Sequence, residues 1–321
     1  MKPLFAALAV AIAAACTAAA AQAPSWPARP VQVIVPSPAG GAIDVWARAQ
    51  SDHMTRTLKQ PVIVDNRGNA LAATEAGARA AADGYTVTVG TAALMTINPS
   101  AYRKLGYAQD DFAYLCKAVE FPLVLVAHPG VPVKDVAQLR TWLQANPKQA
   151  SYASYQPGTP SHFLGHQLGD KLGIALTHIP YRGSAPQVTD LLAGVVPFGF
   201  TQVATALPHI RSGKLVALAT TGSTRFDALK DVPTLGEQGL GDLTTTAWFG
   251  LMVPRATPAD VQARLIEAQR AALADADTRA RLAAQGLVVA PVCGAEFVDL
   301  IKRETQRWAV VVKATGFNAA D

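Results

Sequence analysis

Charge is scarce in this chain: Asp, Glu, Lys and Arg together make up 16% of 321 residues, against roughly a quarter in an ordinary soluble domain. Hydrophobic residues make up 50%, so intrinsic disorder is excluded, and 24 Gly and 22 Pro spread along the chain exclude a coiled coil. No run of Lys or Arg exceeds two residues, so the net charge of +5 is no footprint for nucleic acid; it favours anionic ligands weakly. The sequence has no G-x-S-x-G elbow, no G-x-x-x-x-G-K-[ST] loop and no G-x-G-x-x-G after a strand. The usual hydrolase, nucleotide and dinucleotide signatures are therefore missing, and no cofactor is expected. Length alone gives about two domains of ordinary size.

One long apolar run is present, Leu4 to Ala21. It follows Lys2, is dominated by Ala, and ends in small residues before Pro24-Ser25-Trp26-Pro27. It is long enough to span a bilayer, but its position and the A-x-A-like stretch at Ala19 to Ala23 read as an export signal over residues 1–23. The alternatives are an uncleaved anchor and lipid attachment at Cys16, where the Leu usual three residues earlier is missing. Export places the mature protein in the periplasm. Removing the segment takes Lys2 with it, leaving a net charge of +4 and two cysteines, Cys116 and Cys293. An oxidising compartment permits a disulfide between them, but spacing says nothing of geometry, and two buried free thiols are the expectation.

Short Val/Ile-rich runs alternate with helical spacing. Strands are expected at Val31 to Val35, Val62 to Val64 and Tyr85 to Val89, with helices at Ala42 to Leu58 and Ala72 to Ala81 between them. Phe112 to Val119 and Leu123 to Ala127 then read as consecutive strands. A second alternating series runs from Val133 to Ala219, Thr244 to Val253 reads as a strand leading back, and three helical patterns close the chain. Two α/β series joined twice predict two interleaved lobes, each a mainly parallel sheet flanked by helices.

In such folds ligands sit where parallel strands run into helix starts. Three of these junctions are unusual. Pro36 to Asp44 carries Gly40 and Gly41, which would open backbone N–H groups at a helix start to an anion, or serve only a tight turn. Tyr152 to His162 offers Ser154, Gln156, Thr159 and Ser161 as neutral donors, with Ser161 also a candidate helix cap. Pro180 to Pro186 repeats the polar, Gly-containing character. Three polar helix starts around one cleft suit a small carboxylate. His162 and His166 have the spacing of two metal ligands, but no Cys or carboxylate cluster accompanies them, so no metal is expected. Ser161, His162 and Asp190 supply the residue types of a hydrolytic triad, yet adjacent Ser and His on a helix diverge.

The residues resemble the receptors of the tripartite tricarboxylate transporter family, the Bug-type solute-binding proteins. The resemblance runs through Trp26 to Val31, Val35-Pro36 to Asp44, Pro61 to Arg67, Ala82 to Thr86 and Ile97-Asn98-Pro99. It continues through Tyr152 to His162, Pro180 to Pro186, Asp231 to Thr234 and Trp248 to Leu251. It implies a two-lobed periplasmic-binding fold of type II kind, with two crossover strands as hinge: lobe 1 at 24–123 and 247–321, lobe 2 at 124–246. It also implies a monomer that traps a carboxylated metabolite without catalysis and delivers it to a membrane permease, with a ligand sensor for a signalling partner as the alternative. A secreted hydrolase using Ser154 or Ser161 is a more distant reading. The expected ligand contacts are Ser37, Ala39, Gly40, Gly41, Asp44, Thr91, Ala92, Ser154, Gln156, Thr159, Ser161, His162, Tyr181 and Thr201. Against the family pattern, Ser37 replaces a Phe, Ile43 a small hydroxyl residue, Gly68 to Ala72 a longer glycine-rich stretch, and Thr201-Gln202 an acidic residue. Losing that carboxylate points away from ligands carrying an ammonium group.

Overall fold

In the computed structural model, which describes residues 26–317, the first apolar run forms strand β1 (Val31–Val35), with Val31, Val33, Ile34 and Val35 buried. Parallel partners flank it, β2 (Val62–Asn66) and β3 (Thr86–Thr91). Helices α1 (Ala42–Leu58) and α2 (Ala70–Ala78) make the connections. Helix α1 buries Ile43, Trp46, Ala47, Met54 and Leu58 at three- and four-residue spacing, and the Trp46 ring lies 5.8 Å from that of Phe249. Each large buried side chain of this set contributes about 1.5–3 kcal/mol, so this one helix face anchors the lobe. The expected export signal and Cys16 lie outside the described residues.

After a π-helical turn (Ala93–Ile97) and the short α3 (Asn98–Ala101), the chain enters β4 (Phe112–Ala127). Two strands were expected here; one strand of 16 residues is found. Through Pro122 it pairs antiparallel with β9 (Thr246–Pro254); from Leu123 onward its partners are β7 (Phe198–Gln202) and β8 (Val216–Thr220). Pro122, which has no N–H to give, sits where the partners change, so it interrupts the sequence pattern without ending the strand. Strands β5 (Ser151–Ser154) and β6 (Thr177–Pro180) extend the second sheet in parallel with β7. Around it lie α4 (Val136–Ala145), α5 (Pro160–Leu172), α6 (Ser184–Leu192) and α7 (Val203–Arg211).

The strand order β2-β1-β3-β9-β4-β7-β5-β6 is thus two sheets spliced through β4, one per lobe. Thr221 ties the two crossings together. Its Oγ1 accepts from the Leu123 N–H at 2.9 Å and donates to the Thr245 carbonyl at 2.7 Å, while its backbone pairs with the same two residues.

Helices α8 (Ala259–Ala274), α9 (Ala276–Ala284) and α10 (Ala295–Thr315) close the chain. Between the last two lies β10 (Val288–Cys293), which the sequence pattern hides because its residues are half-buried or exposed and Pro291 interrupts it. This strand corrects the cysteine expectation. It pairs antiparallel with β4 and sets Cys293 opposite Cys116, and the two form a disulfide across 177 residues. Helix α10 covers lobe 1 with Phe297 and Ile301, and its last turns put Trp308 and Val312 against Phe163 of α5 in lobe 2. Among the described residues no helix is long and apolar enough to cross a membrane.

Candidate ligand-binding cleft

A cavity of about 570 Å³ opens between the lobes, where β1, β3, β5, β6 and β7 run into their helices and β9 forms part of the floor. Lobe 1 contributes the loop from Pro36 to Ile43, the start of α2 (Ala70, Leu71), and Thr91 to Leu94. Lobe 2 contributes Tyr155 to Pro160, Arg182 to Pro186, and Gln202, Ala204 and Thr205. Phe121, Ala247, Trp248 and Phe249 lie at the crossing. Arg182 is the one charged side chain among the described lining residues.

Helix starts are the dominant polar feature. The first N–H groups of a helix have no partner within it, and a positive dipole end lies there. Helices α5, α6 and α7 begin at this cavity from Thr159, Gly183 and Gln202, none of which caps its helix with a side chain; α5 opens on Pro160, which has no N–H, and its His162 N–H bonds the Thr159 carbonyl at 3.0 Å. Gly183 holds a backbone φ of 124°, a conformation side-chain-bearing residues avoid, and this turns the loop so that α6 opens on the cleft. The Ser184 and Thr205 hydroxyls, 2.9 Å apart, couple the starts of α6 and α7.

In lobe 1, α1 also begins at this cavity without a side-chain cap, from Gly41. The Asp44 carboxylate reaches back to the Gly40 N–H at 2.9 Å and pairs with Arg48 at 2.9 Å. Burial would raise its pKa, but the Gly40 N–H, the Arg48 guanidinium and Asn66 outweigh that, holding Asp44 below the usual carboxylate range and ionised. The start of α2 is capped by the Asn69 side chain, which accepts from the Ala72 N–H at 3.2 Å.

Of the residues expected from sequence, Ser37, Ala39, Gly40, Gly41, Thr91, Ala92, Gln156 and Thr159 line the cavity. The other six stand behind its wall. Asp44 is buried in its ion pair. Ser161 is buried and accepts from the Tyr155 N–H at 3.0 Å, holding the loop before α5. Tyr181 turns its hydroxyl to Asp190, 2.8 Å away. Thr201 is buried in β7.

Ser154 and His162 belong to a buried stack. The His162 and His178 rings lie 4.0 Å apart, and Tyr152 stacks on the far side of His178. Burial lowers His162 to a pKa of about 3, with repulsion from His178 and His166 adding to it, and burial lowers His178 to about 4. Both rings are neutral near pH 7. Ser154 Oγ lies 2.6 Å from His178 Nε2, the contact a hydrolase would need, but Ser154 has no exposed surface and does not line the cavity. No group of three or more metal-binding side chains stands together among the described residues.

With this geometry in view, the model of the tripartite tricarboxylate transporter family receptor matches residues 46–317. The chain belongs to that family. It is 35% identical to protein BugT of Bordetella pertussis, over 98% of each chain. Similar solved structures include MatC from Rhodopseudomonas palustris with bound malate, 31% identical with a TM-score of 0.80, covering 89% of this chain and 100% of that one. Another R. palustris structure, with adipate, is 28% identical with a TM-score of 0.85, covering 91% and 99%. Family members and structural neighbours are periplasmic binding proteins, not enzymes.

Sequence reasoning missed Leu71, Arg182, Ser184, Thr205, Trp248 and Phe249 as cavity residues. Arg182 and Ser184 lie in a junction already marked by its composition. Thr205 follows a strand-to-helix step that the same rule would have flagged. The apolar wall carried no signal, since a Leu or Phe facing a cleft looks like one facing a core.

Proposed function

We propose that this protein captures a small carboxylated metabolite between its lobes and hands it to a tricarboxylate-type membrane permease. One observation carries the reading: helix starts without a side-chain cap, those of α5, α6 and α7 in lobe 2 and of α1 in lobe 1, open on a cavity with no acidic side chain among its described lining residues. Backbone N–H groups and dipole ends of this kind hold a carboxylate without a dedicated salt bridge. The malate and adipate bound by the two R. palustris relatives support the same chemistry.

In this reading Ser37, Ala39, Gly40, Gly41, Thr91, Ala92, Gln156 and Thr159 contact the ligand. Asp44, Ser154, Ser161, His162, Tyr181 and Thr201 shape the loops that do so. The lobes divide at 24–123 with 247–321 and at 124–246, hinging where β4 and β9 cross. The protein acts as a monomer in the periplasm after losing residues 1–23. A sensor role would use the same cleft and differ only in the partner met on closure, so co-purification with a permease subunit rather than a signalling ectodomain decides between them. The direct test is to unfold protein purified from its host and identify what is released by mass spectrometry. A carboxylate is the expected result; a cationic or carboxyl-free ligand would overturn the proposal.

A further inference from the structure

The lobes meet in different ways at two places. At one, Ile97, Ala101, Trp308 and Val312 of lobe 1 are buried with Phe163 of lobe 2 in a continuous apolar cluster. Parting them would return several large side chains to water, so this contact resists opening. At the other, lobe 1 offers lobe 2 a bare backbone corner. Helix α9 ends at Gln285, where the Gly286 N–H bonds the Ala283 carbonyl at 2.9 Å and the Leu287 N–H the Leu282 carbonyl at 3.0 Å. Gly286 turns the chain with a φ of 68°. A Cβ at Gly286 would lie 3.4 Å from Val203 Cγ1 and 3.6 Å from the Phe226 ring, both in lobe 2. Gly286 is buried, and its neighbour Gln285 lines the cavity.

This corner is firmly mounted. Strand β10 leaves it at once, pairs Val288 with Glu120 of β4, and is tied at its far end by the Cys116–Cys293 bond. Phe121, the next residue of β4, lines the cavity. Across the seam, Val203 is the first residue of α7, and its neighbours Gln202, Ala204 and Thr205 line the cavity as well. The corner therefore rests on the root of a helix start that faces the cleft.

From this geometry we infer that Gly286 is a positioning residue for ligand capture. Its missing side chain is the seat on which lobe 1 closes over the start of α7, and closure carries Gln285 to the site. The inference uses the cleft of the proposed function, whatever acid that cleft holds. A side chain at the seam, against Val203 and Phe226, props the lobes apart.

The test measures lobe separation by pulsed electron spin resonance in the mature, disulfide-intact protein. Nitroxide labels sit on Ala276→Cys in α9 and Lys214→Cys in lobe 2, both at exposed positions. Asn is the substituent at Gly286 because it tolerates a positive φ. Its control is Gly173→Asn, where φ is 69° and nothing lies within 4 Å of the added Cβ, so the backbone strain is matched without the contact. Gly286→Asn is expected to lower the closed population, at the separation of this structure, at least ~10-fold relative to Gly173→Asn. Should Gly286→Asn fail to melt cooperatively, Gly286→Ala against Gly173→Ala is the smaller step with the same direction. Equal closed populations in variant and control overturn the inference. So does unaltered protein that never reaches the closed separation, as purified or with adipate added. Neither result depends on which acid is bound, so the carboxylate reading stands or falls separately on the released ligand.

Discussion

Placing a carboxylate on the protein where the ligand's carboxylate is to sit separates binding from folding with opposite signs. Ser184 is the first residue of α6, and its hydroxyl meets Thr205 Oγ1 at 2.9 Å and Gln202 Oε1 at 3.3 Å. Ser184→Asp puts a negative charge at an uncapped helix start, which stabilises the empty protein by about 0.3–1 kcal/mol through the helix dipole. A ligand carboxylate seated on the same start would lie roughly 4–5 Å from the new one, and at an effective dielectric of about 20 their repulsion is about 3–4 kcal/mol. Affinity for the best-binding acid of a screened panel should then fall by two to three decades, roughly tenfold for each 1.4 kcal/mol. The Ser184→Asn variant, equal in size and uncharged, should fall by less than about tenfold. Calorimetric titration reads the affinities, and thermal melting of ligand-free protein reads the stability. An affinity within about fivefold of the native value, against the decades expected from Coulomb repulsion, would refute a carboxylate seat at α6. A large loss of stability would instead show that this helix start is not open.

Thr221→Val should destabilise the protein by about 1–3 kcal/mol in a denaturant titration, because the Leu123 N–H and Thr245 carbonyl lose a buried partner. Thr221→Ser should recover most of that, and a loss below about 0.5 kcal/mol for the Val variant would remove Thr221 from the crossing. Both buried histidines have folded pKa values below their unfolded ones, so their stability contribution is present above about pH 6.5. It is lost as pH falls toward their folded values of about 3 and about 4. The slope is at most about 1.4 kcal/mol per pH unit for each ring, and His162→Phe should halve it; an unchanged slope would contradict the neutral pair. Reducing the Cys116–Cys293 disulfide should lower stability by about 2–5 kcal/mol, given the long loop it closes, whereas an unchanged melt in reductant would deny the bond.

Much of the framework is readable from local pattern. Helix α1 is found at its expected bounds because its apolar residues repeat at helical spacing between Gly41 and Lys59. What escapes local reading is non-local pairing. Strand β10 is weakly patterned and exists through its partner β4, so neither it nor the disulfide it registers can be read from spacing. The break expected near Pro122 is real as local chemistry but harmless where β4 exchanges partners. The cleft divides in the same way. Glycine- and hydroxyl-rich junctions marked loops that border the cavity, but not which hydroxyls face it. Ser161 and Ser154 are turned inward to Tyr155 and His178, while Ser184 and Thr205 face the cleft.

The central claim is that a carboxylate, held by open helix starts around the cavity, is what the cleft recognises. Calorimetric titration of stripped, refolded protein with an acid and with its amide of the same shape tests this most directly. Binding of the acid and none of the amide is the result predicted; equal affinity for the two would contradict it.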